Sequence, residues 1–211
     1  MNNKSFPYCF TVFFLTFVLG TCSLCESAKG QENNTQFEQM RSELRSGSLP
    51  LVNLIVDISA VSKRAFVNGE IEIVDFLKRK DSLSESVKYQ CQIRYRGGTS
   101  VSHEKKSFSI KLVDEAGEKQ NANILGIREE NSWILDAMAI DRTRMRNRVC
   151  FDVWNDMSQT PYETAYGNRN GTAGEFVEVF INGSYHGLYC MSDKIDRKLL
   201  GLKKTKKDEN D

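Results

Sequence analysis

Residues 93–112 read IRYRGGTSVSHEKKSFSIKL, and the stretch decides how the chain is laid out. Its first part alternates as a strand. Cys91, Ile93 and Tyr95 share one face, while Gln92, Arg94 and Arg96 share the other. Gly97-Gly98 turns the chain, and a second strand follows in which Phe108, Ile110 and Leu112 share a face. Lys105 and Lys106 stand at its entrance. Lys106 has the parity of the apolar stripe, so it either reaches into a cleft or snorkels to solvent. Backbone N–H groups in a glycine-rich turn between fixed cations can cradle a phosphate. The expectation is a site for a phosphate-bearing ligand made by Arg96, Gly97, Gly98, Lys105 and Lys106.

Outward from this pair, further strands are legible. Residues 51–58 form an apolar run after Leu49-Pro50, as a buried strand would. Asn68-Gly69 stands between residues 65–67 and the alternating residues 70–73, which predicts a hairpin with a type I′ turn. Residues 75–85 are charged and read as a surface loop, and residues 167–174 as a flexible one. Asn182-Gly183, between residues 176–181 and 185–191, predicts a second type I′ hairpin.

Asp141 can cap a helix over residues 142–158. On a helical wheel Met145, Val149, Cys150, Val153, Trp154 and Met157 fill one half, with Arg142 and Arg146 inside it. Arginine on an apolar face needs a carboxylate or phosphate partner, which singles out Arg146. Arg144 and Arg148 fall opposite and read as solvated. His103 and His186 stand apart from other metal-ligand types, so they read as structural or surface residues and no metal site is assigned.

The formal net charge is +1, with 29 Lys and Arg against 28 Asp and Glu. No global field favours nucleic acid, and the arginine run 142–148 lacks interleaved stacking aromatics. Lys4 followed by the apolar residues 9–19 reads as a secretory leader over residues 1–30, cleaved after Ala28-Lys29-Gly30. Lipidation at Cys22, giving membrane attachment, is the alternative. Either way the protein is expected to be exported: secreted, periplasmic or at the cell surface. Cys91, Cys150 and Cys190 then remain, odd in number and without C-x-x-C spacing, and read as buried small hydrophobes. Residues 31–48 read as a linker or short frayed helix, residues 49–200 as one lobe, and residues 201–211 as a polar tail or the start of a further lobe.

Three ordered segments together resemble the CotH kinase family, named for a spore-coat protein kinase. They are Arg96-Gly97-Gly98-Thr99-Ser100 with Lys105-Lys106-Ser107-Phe108; Trp133-Ile134-Leu135 with Asp141-Arg142 and Met145-Arg146-Asn147; and Phe176-Val177-Glu178-Val179 with Ile181-Asn182-Gly183-Ser184-Tyr185-His186-Gly187-Leu188-Tyr189 and Asp193-Lys194-Ile195. Gly98-Thr99 stands where the family has Asn-Ser, and Asp193 where it has a glutamate. The resemblance implies an ATP- and Mg²⁺-dependent protein kinase acting on an exported protein. It makes Arg96, Lys105 and Lys106 phosphate contacts, and Arg146 a support of the site or a partner of the carboxylate Asp193.

The resemblance also implies metal-binding and catalytic aspartates in a later lobe, so no catalytic residue is assigned here. The chain is expected to be an N-terminal nucleotide-binding portion, truncated and inactive alone. A non-enzymatic surface module binding carbohydrate or protein is the alternative. The expected fold class is α+β: a twisted, mainly antiparallel sheet with packed helices, resembling the N-terminal lobe of an atypical kinase.

Overall fold

The computed structural model describes residues 36–43, 47–75, 86–157 and 171–202. The leader and the Cys22 anchor, residues 31–35 and 44–46 of the linker, residues 76–85 and 167–170 of the two loops, residue 158 of the expected helix, and residues 203–211 of the tail lie outside the described residues.

Seven strands close into a barrel: β1 (Leu51–Ile55), β2 (Val67–Val74), β3 (Ser86–Arg96), β4 (Ser107–Val113), β7 (Ser132–Asp136), β9 (Ser184–Asp193) and β8 (Gly174–Ile181), in that spatial order. Neighbours pair antiparallel except at the closing seam, where β1 runs parallel to β8 with Leu51 opposite Glu178 and Leu54 opposite Ile181. A small hairpin of β5 (Ala122–Asn123) and β6 (Glu129–Glu130) branches from the loop between β4 and β7.

The alternation read in the sequence sets the inside of this barrel. Cys91, Ile93, Phe108, Ile110 and Leu112 are buried, and with Val52, Leu54, Ile71, Ile73, Trp133, Leu135, Val177, Val179, Tyr189 and Met191 they fill one core. Each such side chain contributes about 1.5–3 kcal/mol when it leaves water. Cys190 is buried on the opposite parity to Tyr189 and Met191, and Cys150 is exposed.

The expected α+β lobe is overturned. The structure is mostly β, with two short helices among the described residues, and the reason is geometric. A sheet closed on itself buries its apolar face inside, so no broad outer face is left for helices to cover. The exception is at the seam, where Leu51, Val74 and Phe180 point outward. Helical residues 36–43, within the stretch read as a linker or short helix, cover them, with the Phe37 ring edge-on to Phe180 at 5.2 Å and Arg41 3.5 Å from Glu72.

The second helix, Arg146–Met157, does not pack as its apolar stripe suggested. Arg148 is its one buried residue, whereas Val149, Val153, Trp154 and Met157 are exposed. Arg148 donates to the Thr172 carbonyl at 2.6 Å and to Asp152 at 2.8 Å, tethering the helix to the start of β8 through polar contacts. Asp141 does cap the helix, but across a wider turn. Its carboxylate accepts from the backbone N–H of Met145 and Arg146, so the helix begins four residues later than expected.

The two Asn-Gly pairs part ways. Asn182 and Gly183 have φ of 51° and 79° and turn β8 into β9, as predicted. Asn68-Gly69 turns nothing. Both residues lie within β2, paired with Gln92 and Cys91. Gly69 is small for a packing reason: a Cβ there would meet the Ile55 carbonyl oxygen at 2.7 Å.

Candidate functional site

A cleft of about 410 Å³ opens where β3 ends, β4 begins and β7 runs into the loop before the Arg146–Met157 helix. Arg96 and Gly97 line it from the end of β3, Lys105 and Ser107 from the entrance of β4, Asp136 from the end of β7, and Asp141, Arg146 and Asn147 from the helix entry. Segments fifty residues apart in sequence (Arg96 to Arg146) thus place three cations around one hollow.

Gly97 is required there. Its φ is +122°, and a Cβ would overlap the Ser100 hydroxyl oxygen. Gly98 has open space around it and negative φ, so its place in the turn is not imposed by packing. The turn continues as a single 3-10 turn, Thr99–Ser102. That element is too short to present a row of aligned N–H groups, so the side-chain cations define the cleft's electrostatics.

Lys105 is the most perturbed of them. Its ammonium lies 4.2 Å from the centre of the Tyr189 ring and donates to the Leu188 carbonyl. Burial lowers its pKa to about 8, helped by Arg144 and opposed by Glu178. Gly187 leaves room for it, since a Cβ there would stand 3.3 Å from the ammonium. Burial and Lys105 likewise lower the pKa of His186, whose Nδ1 lies 2.9 Å from the Tyr189 hydroxyl.

Lys106 resolves the choice left open by its parity. It donates to the His103 carbonyl at 3.0 Å, lies 5.8 Å over the Tyr95 ring, and does not line the cleft. Arg146 is exposed and paired with Asp141 at 2.9 Å. Desolvation works against the Asp141 carboxylate, but the N–H groups of Arg146 and Thr143 and the Thr143 hydroxyl outweigh it and hold the group at about 2. Arg144, expected to be solvated, donates to the Ala137 carbonyl at 2.8 Å and holds the loop that walls the cleft.

Asp193 is not the partner of Arg146. It is fully buried, accepts from the Ala173 N–H at 3.0 Å, and lies 3.2 Å from the equally buried Arg128. Arg128 also reaches Asp196 at 3.2 Å and the Lys194 carbonyl at 3.0 Å, and Lys198 closes the network on Glu130 at 2.9 Å. A side cleft of about 290 Å³ brings Asp193 and Arg148 near Arg96, Asp136 and Asn147, which line both hollows.

Sequence reasoning missed Asp136, Ser107 and Arg128. Asp136 accepts from the Ser107 hydroxyl at 2.9 Å and the Met138 N–H at 3.0 Å, fixing the floor of the cleft. The only signal for it was its place directly after Trp133-Ile134-Leu135.

A family model described as CotH kinase protein matches residues 93–210. This chain belongs to the CotH kinase family. Among curated proteins none matches it. The matched span contains every residue that lines the cleft, so the CotH match and the geometry fall on the same part of the chain.

Kinase chemistry implies ATP and Mg²⁺, and the cleft fits the first better than the second. Arg96, Lys105 and Arg146 suit a polyphosphate. The cleft's two carboxylates, Asp136 and Asp141, are already engaged by hydroxyl, N–H and guanidinium donors. Among the described residues no group of three or more His, Cys, Asp or Glu side chains could hold a metal ion. A protein-held Mg²⁺ does not fit this donor set.

Proposed function

We propose that this CotH-family chain is the nucleotide-binding portion of an exported protein kinase, and that its 410 Å³ cleft takes the phosphates of ATP. The observation that carries the reading is the convergence of Arg96, Lys105 and Arg146 on one hollow from three separate segments. Arg96 and Arg146 offer planar forks that match phosphate oxygens, and Lys105 offers a point charge at the wall. Asp141 positions the Arg146 guanidinium through its 2.9 Å pair, and Asp136 with Ser107 keeps the floor polar.

Bound ATP supplies a transferable γ-phosphoryl group, and this chain's residues hold and orient it. The cleft's own carboxylates are engaged, and no acidic cluster among the described residues could hold a metal, so in this reading the cleft binds nucleotide without itself transferring phosphate. Export rests on the leader-like residues 1–30.

Calorimetry on the folded chain tests the reading. ATP should bind, Arg146→Gln should weaken it about tenfold, the loss of roughly one charged contact, and phosphate incorporation into serine-containing proteins should stay at background. No heat with ATP would overturn nucleotide binding and favour a non-enzymatic surface module. Robust phosphate incorporation would overturn inactivity alone.

A further inference from the structure

A second cleft, of about 220 Å³, lies on the outer face of β3, β4 and β7. Its walls carry Lys63, Arg94, Arg96, Lys111 and Lys194, and no aspartate or glutamate lines it. None of those five cations has a carboxylate within 4.0 Å among the described residues. Several cations elsewhere are paired: Lys88 with Glu72, Arg128 with Asp193, Arg148 with Asp152. In a chain of net charge +1, such a concentration is a local arrangement.

The arrangement is also held in place. Arg94 lies opposite Ser109 across the β3–β4 ladder, and Lys111 lies two residues further along β4, opposite Ser132 of β7. Phe66 rests against both cations, with the Arg94 guanidinium 4.6 Å and the Lys111 ammonium 4.2 Å from its ring centre. The segment carrying Phe66 is tied down by the Tyr95 N–H, which donates to the Ser62 carbonyl at 3.0 Å. Two charged side chains are thereby ordered before any ligand arrives, which lowers the entropy cost of binding one. Like charges gathered this closely repel unless an anion joins them.

We propose that this cleft is an exosite for phosphorylated protein segments, taking a phosphoserine or phosphothreonine side chain beside the nucleotide cleft. A phosphate dianion brings about two charges and three acceptor oxygens where a carboxylate brings one charge and two oxygens, and Arg94 presents a fork that grips two of its oxygens. The Ser109 hydroxyl on the cleft wall adds a neutral donor for the rest. Arg96 and Gly97 line both clefts, so a bound phosphosegment lies next to the nucleotide. The cationic cleft stands by itself; the choice of a phosphorylated protein as its occupant rests on the kinase reading. The exosite would keep a protein already modified once near the place of its next modification.

The test is fluorescence anisotropy on the full chain with a labelled peptide carrying two phosphoserines. The phosphopeptide should bind, and its unphosphorylated form should bind at least about tenfold more weakly, the equivalent of one charged contact. Arg94→Gln with Lys111→Gln should lose the phosphopeptide and keep ATP affinity, whereas Arg146→Gln should do the reverse. Lys63→Glu with Lys194→Glu, both exposed, gives a second reading if the first pair disturbs the barrel. Equal binding of both peptides overturns the exosite. So does a single-stranded oligonucleotide of equal charge competing more tightly, or free inorganic phosphate displacing the peptide at equal concentration. Parallel loss of ATP and peptide in the Arg94/Lys111 variant would merge this cleft with the nucleotide site. Phosphopeptide binding without ATP binding would leave the exosite standing and the nucleotide reading refuted.

Discussion

Replacing Lys105 by methionine should weaken ATP binding about tenfold and remove a pH dependence that the native protein shows. Methionine keeps an apolar stem over the Tyr189 ring while deleting the charge. A hydrogen bond to a charged group contributes about 1.5–3 kcal/mol. Lys105 is only half-buried, so screening moves the figure to the lower end, roughly tenfold in affinity. Its pKa is lowered to about 8, by burial first and Arg144 second. The ammonium is therefore charged at neutral pH and loses its proton as pH rises through about 8. Native affinity should fall between about pH 7 and pH 9, and the variant should show no such step. Unfolding does not mimic this. A lysine with a depressed folded-state pKa binds fewer protons folded than unfolded between about 8 and its ordinary value of 10.5, so this group makes stability rise with pH over that window. Titration calorimetry at both ends of the range, with the melting temperature as a control, reads the effect. Equal affinities at neutral pH, or native affinity that holds through pH 9, would refute the placement of Lys105 against phosphates.

Two further perturbations probe the scaffold. Arg128→Met leaves the buried Asp193 carboxylate without its 3.2 Å partner and should cost about 3–5 kcal/mol in denaturant unfolding. Adding Asp193→Asn should recover part of that loss, and purely additive single effects would show that the two residues are not coupled. Gly69→Ala places a Cβ 2.7 Å from the Ile55 carbonyl and 3.1 Å from the Val56 Cβ, so about 1–3 kcal/mol of overpacking strain is expected. An unchanged unfolding midpoint would mean that the β1–β2 approach has slack.

The parts of this fold that could be read in the sequence are those written in neighbouring residues. Alternation in β3 and β4 put the correct side chains inside, and Asn182-Gly183 turned where its positive φ values suit the pair. What failed depended on distant partners. Gly69 looks like a turn glycine until β1 is laid against it. The Arg146–Met157 wheel separates an apolar half from Arg148 correctly, yet the tertiary contact selects the arginine, because the Thr172 carbonyl and Asp152 are there to receive it. Closure into a barrel depends on four register pairs between β1 and β8, which local periodicity does not encode. In the site, Arg96, Gly97, Lys105 and Arg146 were legible because cations flank a glycine turn and a capped helix. Asp193 was legible as a carboxylate but not as the partner of Arg128, 65 residues upstream in sequence.

The parallel seam has a consequence for how the polypeptide comes together during its synthesis. Leu54 finds its neighbour Ile181 only after the intervening chain exists, and every other pairing in the barrel is made from strands closer along the sequence. Until then β1 has β2 on one side and an open edge on the other. Such a long loop is entropically costly to close and slow to form. The N-terminal helix packs across the same seam, its Phe37 resting on Phe180, so it too waits for β8. A ribosome must deliver residue 181 before residue 54 has its second neighbour, and the first strand of this protein is among the last to be finished.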